Sequence, residues 1–498
     1  MNPNEIVTHI PFETRVHQQC IGLSDLPLLS SIVKEVENEK LLRNYTIWNI
    51  QHELGDMAAQ IEALLALDAL PSNLYFLPPP YTHHKGFEQY IMEHFRVPME
   101  NFFHGAPYCL SYNYEEYRLA QVLFELNRLM TIELTKQTAV EMKLLVSDSG
   151  GCFSEALAYL YEIDEGKLDP NQLFENVPLA FKMERSDVSL LLSHLGSIEI
   201  RLVEKTSRGL IKYADQPNIK KALRRIGTSI IDVASSQPKR QIEPMLIGEA
   251  CLNMLSYLFY DAPKTLRISK PLESHKCLLL GYGAIGQAIA HALIHDDDLN
   301  IFSKDSVKVW DRDPSRRQLA QHEGFEIFDN WKSNEEFDYV IGCTGRCSLP
   351  ISSFSLLRNN AYLISVSSGA VEFPVHEMVQ CALSDTKISI SSSNIDEFAS
   401  EDIHRNIEFR IDNRRKVTVV NGGMPITFLG LLNPTLPEKF DITVSCVIAA
   451  SIQAARLHQQ TNEEDRIIPL DTTYSTLICD WFKPCESNNN PILSGETG

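Results

Sequence analysis

The stretch His275-Lys276-Cys277-Leu278-Leu279-Leu280-Gly281-Tyr282-Gly283-Ala284-Ile285-Gly286-Gln287 decides the architecture. Its apolar run, 275–280, predicts a buried strand, and residues 287–293 continue as a helix. Between them stands G-x-G-x-x-G. Gly281 permits a tight turn, Gly283 lets backbone approach a pyrophosphate, and Gly286 allows close helix–strand packing, with Ala284 and Ile285 completing the loop. A second apolar strand, 307–310, ends in Asp311-Arg312. Strand, glycine turn, helix and terminal acid together predict a dinucleotide site. The pyrophosphate rests on the helix N-terminus and Asp311 takes the ribose hydroxyls. Asp311 lies further from the glycines than the roughly 20 residues usual for this acid. The excess fits a loop that carries Asp296-Asp297-Asp298. The charge of Asp311 repels a 2′-phosphate, so the expected cofactor is NAD, although Arg312, Arg316 and Arg317 lie close by.

Working outward, residues 337–341, 361–366 and 387–390 read as further strands, and 409–411 and 417–420 flank Asp412-Asn413 as a hairpin. In the first half, residues 26–39 and 114–130 have helical spacing. A helix is expected over 47–69, with Ile61, Leu64, Leu65 and Leu67 on its apolar face until Pro71. Residues 73–77 form a short strand stopped by Pro78-Pro79-Pro80. Strands at 141–146 and 197–202 run into Asp148-Ser149-Gly150-Gly151 and Glu204-Lys205-Thr206-Ser207-Arg208-Gly209. Alternating strands and helices imply parallel α/β layers.

At 498 residues the chain exceeds one ordinary core, and 44% hydrophobic with 22% charged residues is a globular composition. Acidic residues outnumber basic ones 65 to 45, so the net charge of −20 disfavours nucleic acid and anionic membranes as partners. No run of about 18 apolar residues predicts a membrane span, and the polar start lacks a signal pattern. Eleven cysteines, an odd number without CxxC pairs, predict free thiols in a reducing, cytoplasmic setting. His83-His84 follow the prolines with no carboxylate at ligand spacing, so no metal is expected.

The chain resembles the S-adenosyl-L-homocysteine hydrolase family, with gaps, from about residue 45 to 456. The resemblance rests on the strand–turn–strand–glycine unit 409–423, the glycine turn with Asp311-Arg312-Asp313-Pro314, Thr344-Gly345 after a strand, and Asp148-Ser149-Gly150-Gly151 in place of Asp-Asp-Gly-Gly. It implies a Rossmann-type NAD-binding domain inserted into an α/β substrate-type domain, with hinges near Glu249 and Leu432. The corresponding division is an appendage at 1–40, substrate-type domain 41–248, NAD domain 249–432, a return at 433–484 and a disordered tail at 485–498. It also implies a homo-oligomer, because the lysine of the family's C-terminal Phe-Lys-Pro, here Lys483, reaches a neighbouring subunit's NAD. In that family NAD oxidises a nucleoside 3′-hydroxyl, which acidifies C4′–H; a base takes that proton and the thiol leaves.

In the substrate half the residues depart from that pattern. His52 matches a helix-borne histidine, but the threonine two places on is Leu54, followed by the acid Asp56. Asp148 stands one place early, with Ser149 where the second aspartate belongs. Glu204 is kept and its neighbouring glutamate becomes Lys205. Thr206 and Ser207 match nicotinamide-ribose contacts, and Arg208 replaces a threonine. Lys239 and Glu243 keep the spacing of the essential lysine and aspartate, although alignment through Gly248 selects Arg240 and Pro244 instead. A histidine has become Ser368 and an asparagine Thr427. Three readings stand open: an NAD-binding relative that has lost the parent reaction and acts by binding, a divergent NAD-dependent enzyme acting on a nucleoside or other polar small molecule, and an active hydrolase. The acid–base material for the last two is His52, Asp56, Asp148, Glu204, Lys205, Lys239 and Glu243.

Overall fold

In the computed structural model, residues 10–136, 142–170, 177, 183–295, 301–332, 334–384, 388–390, 403–411, 415–457 and 467–482 are described. The first sheet contains β1 (Tyr45–Ile50), β2 (Leu74–Phe76), β3 (Lys143–Asp148), β4 (Glu199–Glu204), β5 (Ile230–Asp232) and β14 (Ile467–Pro469). Its order is β14-β5-β4-β3-β1-β2, and every pair is parallel. The second contains β6 (Cys277–Leu280), β7 (Val307–Trp310), β8 (Glu326–Ile327), β9 (Phe337–Gly342), β10 (Leu357–Ser365), β11 (Ile388–Ile390), β12 (Ile407–Ile411) and β13 (Arg415–Val419). Its order is β11-β12-β13-β10-β9-β6-β7-β8. Pairing is parallel except at β11–β12 and in the hairpin β12–β13.

These orders locate the functional crevices. Taking β6 as the first strand, the second sheet has the doubly wound dinucleotide-fold order, whose switch point lies between β6 and β9. The first sheet has the flavodoxin-like order, with its switch point between β1 and β3. Both crevices open at the carboxyl ends of their strands, the glycine turn following β6 and His52 following β1. The expected α/β class with a Rossmann-type unit is therefore what the chain forms.

The helix expected over 47–69 is corrected. Tyr45–Ile50 is a central strand, buried throughout, and the helix begins only at Gly55 (Gly55–Ala66). A strand covered on both faces has no period of two, and Thr46, Ile47, Trp48 and Ile50 are residues that strands favour. His52 therefore lies in the loop after β1 and not on a helix.

The segment expected as an appendage is built into the core. The helix Pro27–Val36 buries Leu28, Leu29 and Ile32 completely in the cluster that also holds Ile442 and Ile448, and Phe12 packs edge-on against Tyr257. Near the expected hinges, Glu249 accepts hydrogen bonds from Thr435 Oγ1 at 2.7 Å and Lys439 Nζ at 2.7 Å. The turn at Asp412-Asn413, the acidic triplet 296–298, Lys483 and the tail lie outside the described residues.

Asp441 caps the helix Pro27–Val36 across 413 positions of sequence, accepting from Leu28 N at 2.9 Å and Leu29 N at 3.0 Å. Asp441→Ala should lower stability by about 1–3 kcal/mol, since it leaves buried N–H groups unpaired. Urea denaturation checks this, and a loss no larger than that of an exposed control such as Asp305→Ala would contradict it.

Candidate functional site

At the second sheet's switch point the three glycines do different work. Gly281 has φ +101°, and a Cβ there would lie 2.8 Å from the Cys343 carbonyl oxygen; one on Gly286 would meet the Gly281 carbonyl oxygen at 2.2 Å. The chain's own packing requires both. A Cβ on Gly283 would meet nothing within 4 Å. Gly283 therefore faces open space at the N-terminus of the helix Ala284–His295, beside exposed Ala284 and Ile285. A helix N-terminus with open space before it has the amides and the dipole that suit a phosphate.

Asp311 ends β7 at this mouth. Its carboxylate accepts from Tyr282 N at 2.6 Å and Asp313 N at 2.9 Å, which fixes its direction and leaves lone pairs for hydroxyl donors. Arg312 is exposed, and the Arg317 guanidinium donates to the Asp311 carbonyl. Across the crevice, the fully buried Glu372 accepts from Thr344 N at 2.7 Å, Thr344 Oγ1 at 2.9 Å and Gly345 N at 2.6 Å. Thr344 and Gly345 thus form a rigid wall held by a carboxylate that no motif pointed to.

At the first switch point two expected catalytic carboxylates are committed to backbone. Asp148 accepts from Cys152 N at 3.1 Å and Phe153 N at 2.9 Å, capping the helix Cys152–Asp164. Glu204 accepts from Gly150 N at 3.2 Å, Gly151 N at 2.8 Å, Thr206 N at 2.8 Å, Thr206 Oγ1 at 2.6 Å and Tyr213 Oη at 3.1 Å. Burial, then the Asp148 charge, pushes Glu204 up to about 7. Thr206 also accepts from Gly209 N, so its hydroxyl caps the helix Ser207–Asp215; Ser207 is exposed.

The remaining candidates converge on one buried polar cluster. The Lys205 ammonium donates to Gln51 Oε1, and Lys239 pairs with Glu243, which also accepts from Thr443 Oγ1 at 2.6 Å. Lys239 faces inward and Arg240 is exposed. Burial, then Lys239, lowers Lys205 to about 7, while burial raises Asp56 to about 7.

The cleft above His52 is closed. His52 stacks on Phe428 (centroids 4.4 Å apart, planes 7°) and lies 3.4 Å from Tyr81 Oη, which accepts from Gly369 N at 3.1 Å. Arg208 pairs with Glu115 and donates to the Ser368 carbonyl at 2.8 Å, joining the two sheets' loops. A second tie between them is Arg346–Asp215 at 2.6 Å. The cavity left among His52, Tyr81, Tyr114, Arg118, Arg208 and Ser368 is ≈ 10 Å³, one water's worth. Sequence reasoning noted Arg208 but missed Tyr81 and Phe428, because aromatic residues in loops carry no periodicity. It also missed a carboxylate for His83: Glu88 Oε1 lies 3.2 Å from His83 Nε2, so the expectation that this histidine lacks an acidic neighbour is corrected.

No family model matches the sequence, and no curated protein matches it. Among solved structures, the chain is similar to a phosphoglycerate oxidoreductase from Vibrio cholerae O395, at 14% identity over 49% of this chain and 80% of that one, TM-score 0.28. It is similar to a dipicolinate synthase chain from Bacillus halodurans, at 10% identity over 67% and 86%, TM-score 0.31. A third is a D-isomer specific 2-hydroxyacid dehydrogenase from Lactobacillus delbrueckii ssp. bulgaricus in its NAD-complexed form, at 12% identity over 64% and 92%, TM-score 0.28. The strand orders, not these distant likenesses, establish the fold.

Burial, followed by Lys205, Arg118 and Lys239, lowers His52 to about 3. A histidine depressed in the folded state binds fewer protons there than when unfolded, so its contribution is present above pH ~6.5 and lost as pH falls toward ~3. Asp56 and Glu204, raised, act in the opposite sense. His52→Gln should therefore lose less stability than wild type between pH 7 and 5, by at most about 1.4 kcal/mol per pH unit. Urea midpoints at both pH values measure it; parallel shifts in both proteins would refute it.

Proposed function

We propose that this chain is an NAD-binding relative of S-adenosyl-L-homocysteine hydrolase that has lost the parent reaction and acts by binding. The observation that carries this is the filled cleft: a nucleoside needs a pocket of the ~300–1,000 Å³ scale, and the space beside His52 is ≈ 10 Å³. Gly283, which the fold leaves free of contacts, supports the cofactor half of the reading. On it, the amides around Ala284, Ile285 and Gly286 hold pyrophosphate, Asp311 takes the ribose hydroxyls, and Ser207, Thr344 and Gly345 border the nicotinamide end. Bound NAD would supply a hydride acceptor. The chain's own contribution is to orient it and to keep water and substrate out with Arg208, Tyr81 and Phe428. The reading places the protein in the cytoplasm as a homo-oligomer; no disulfide joins the described cysteines, in keeping with a reducing compartment.

A second reading, a divergent NAD-dependent enzyme acting on a nucleoside or another polar small molecule, is favoured by Asp56 and Lys205, both brought to about 7 in one cluster. Mass spectrometry of small molecules released on denaturation separates the two: NAD alone supports binding, NAD with a nucleoside supports the enzyme, and no dinucleotide sinks both.

By calorimetry, NAD should bind and its 2′-phosphorylated form bind more weakly; equal or tighter binding of the latter would refute the role given to Asp311. Gly283→Val should abolish binding with an unchanged melting temperature, because its side chain enters space that the fold leaves open. Retained affinity would make the turn purely structural.

With NAD saturating, adenosine and homocysteine should not be condensed. Turnover of about 1 s⁻¹, ordinary for an enzyme, would establish the active hydrolase instead.

A further inference from the structure

Beside the first sheet's crevice, the loop after Pro78-Pro79-Pro80, the first turns of the helix Lys85–Phe95 and the segment before Tyr108 bring His83, Glu88 and His104 together. His83 Nε2 and His104 Nε2 each lie 3.2 Å from Glu88 Oε1, and the three potential ligand atoms all fall within 4.8 Å of one another. Simple hydrogen bonding does not account for this. Glu88 Oε1 is buried yet accepts no hydrogen bond, so neither imidazole N–H is aimed at it. The two separations from Glu88 match those of atoms sharing a common centre: ligands about 2.0–2.1 Å from a tetrahedral zinc ion lie about 3.3–3.4 Å from each other.

Local charge points the same way. Glu53 is 3% exposed and Glu88 9%. Glu53 accepts from His84 N at 2.6 Å through one oxygen, while its other is buried without a hydrogen-bond partner. A buried carboxylate oxygen without a hydrogen bond needs a positive neighbour, which a bound cation supplies. The scaffold is firm. Gln121 Nε2 holds the His104 carbonyl at 2.7 Å, and Arg118 holds the Pro78 carbonyl at 3.0 Å. A cavity of ≈ 220 Å³ adjoins the two histidines, lined also by Tyr108, Tyr117 and Gln121.

We propose that His83, Glu88 and His104 form a divalent transition-metal site of the zinc type, with its fourth position open to this cavity. Two histidines and a glutamate suit zinc, and three protein ligands with an open position are the pattern of a site that takes water or a small anionic ligand. Glu53 is the positioning residue, holding the histidine-bearing loop through His84 N.

The test uses the full chain after chelator treatment, titrated with Zn²⁺ against a chromophoric chelator, and with Co²⁺ to read coordination from visible absorption. One equivalent should bind, with the Co²⁺ form showing the intense bands of a four-coordinate site. His104→Ala and Glu88→Gln should each weaken Zn²⁺ by at least about 100-fold, and Glu53→Ala by about 10- to 100-fold, whereas Glu53→Gln, which still accepts from His84 N, should stay close to wild type. Zn²⁺ should raise the melting temperature of wild type and not of the ligand variants. His83 and His104 are partly exposed, so His83→Ala should stay folded and serve if Glu88→Gln does not. Zn²⁺ bound equally by wild type and ligand variants, as stray binding to surface thiols such as Cys347 would give, overturns the proposal, as does no binding at all.

Discussion

The crevice of the first sheet depends on one buried carboxylate. Glu204 ends β4 and gathers the amides of Gly150 and Gly151 from the end of β3, together with Thr206 and Tyr213 from its own side. Two parallel strand ends leave their amides unpaired, and an unpaired buried amide costs about 1–3 kcal/mol, so a carboxylate in this position sets the shape of both turns. The arrangement is tight. A Cβ on Gly209 would lie 2.2 Å from the Glu204 carboxylate, and one on Gly151 would lie 3.1 Å from the Gly209 Cα. The glycines of both motifs are therefore explained by packing around Glu204 before any ligand is invoked. Arg208, next to one of these glycines, is aimed at the other sheet because this turn is fixed.

Arg208 meets Glu115, whose side chain is 42% exposed, and the Ser368 carbonyl. A pair so open to water adds only about 0–1 kcal/mol, so its consequence is geometric. It binds a loop of the first sheet to a loop of the second, where the resemblance implies a nucleoside between them. Phe428 and Tyr81 complete the closure by stacking on and against His52. A cleft filled by flat aromatic faces and a guanidinium is chemically unlike one lined by carboxylates and amides.

Much of this was legible in the sequence. Parallel strands buried on both faces leave unbroken apolar runs, so β6, β7 and β9 were readable, and the glycine turn located the crevice between β6 and β9. The same property misled at β1, whose apolar run merged with the next helix into one apparent element. Interactions spanning great sequence distances left no trace. Asp441 capping Leu28 and Leu29, and β14 joining β5, are each invisible to spacing rules, because neither partner is unusual in its own neighbourhood. Asp148 and Glu204 were recognised as important residues, but their hydrogen bonds to backbone amides could not be read from residue type.

The two sheets also differ in how they are drawn from the chain. All eight strands of the second lie between Cys277 and Val419, whereas the first is completed by β14 at Ile467–Pro469 and covered by the helix Asp441–Arg456, against which the helix Pro27–Val36 packs. On the ribosome, the dinucleotide-type unit has all its strands while the earlier-made half still waits for its last ones. That half must hold apolar residues such as Ile32 and Leu64 in a provisional state until Ile442 and Ile448 emerge. Synthesis order and sheet-completion order are thus reversed: the half made first is the last able to close.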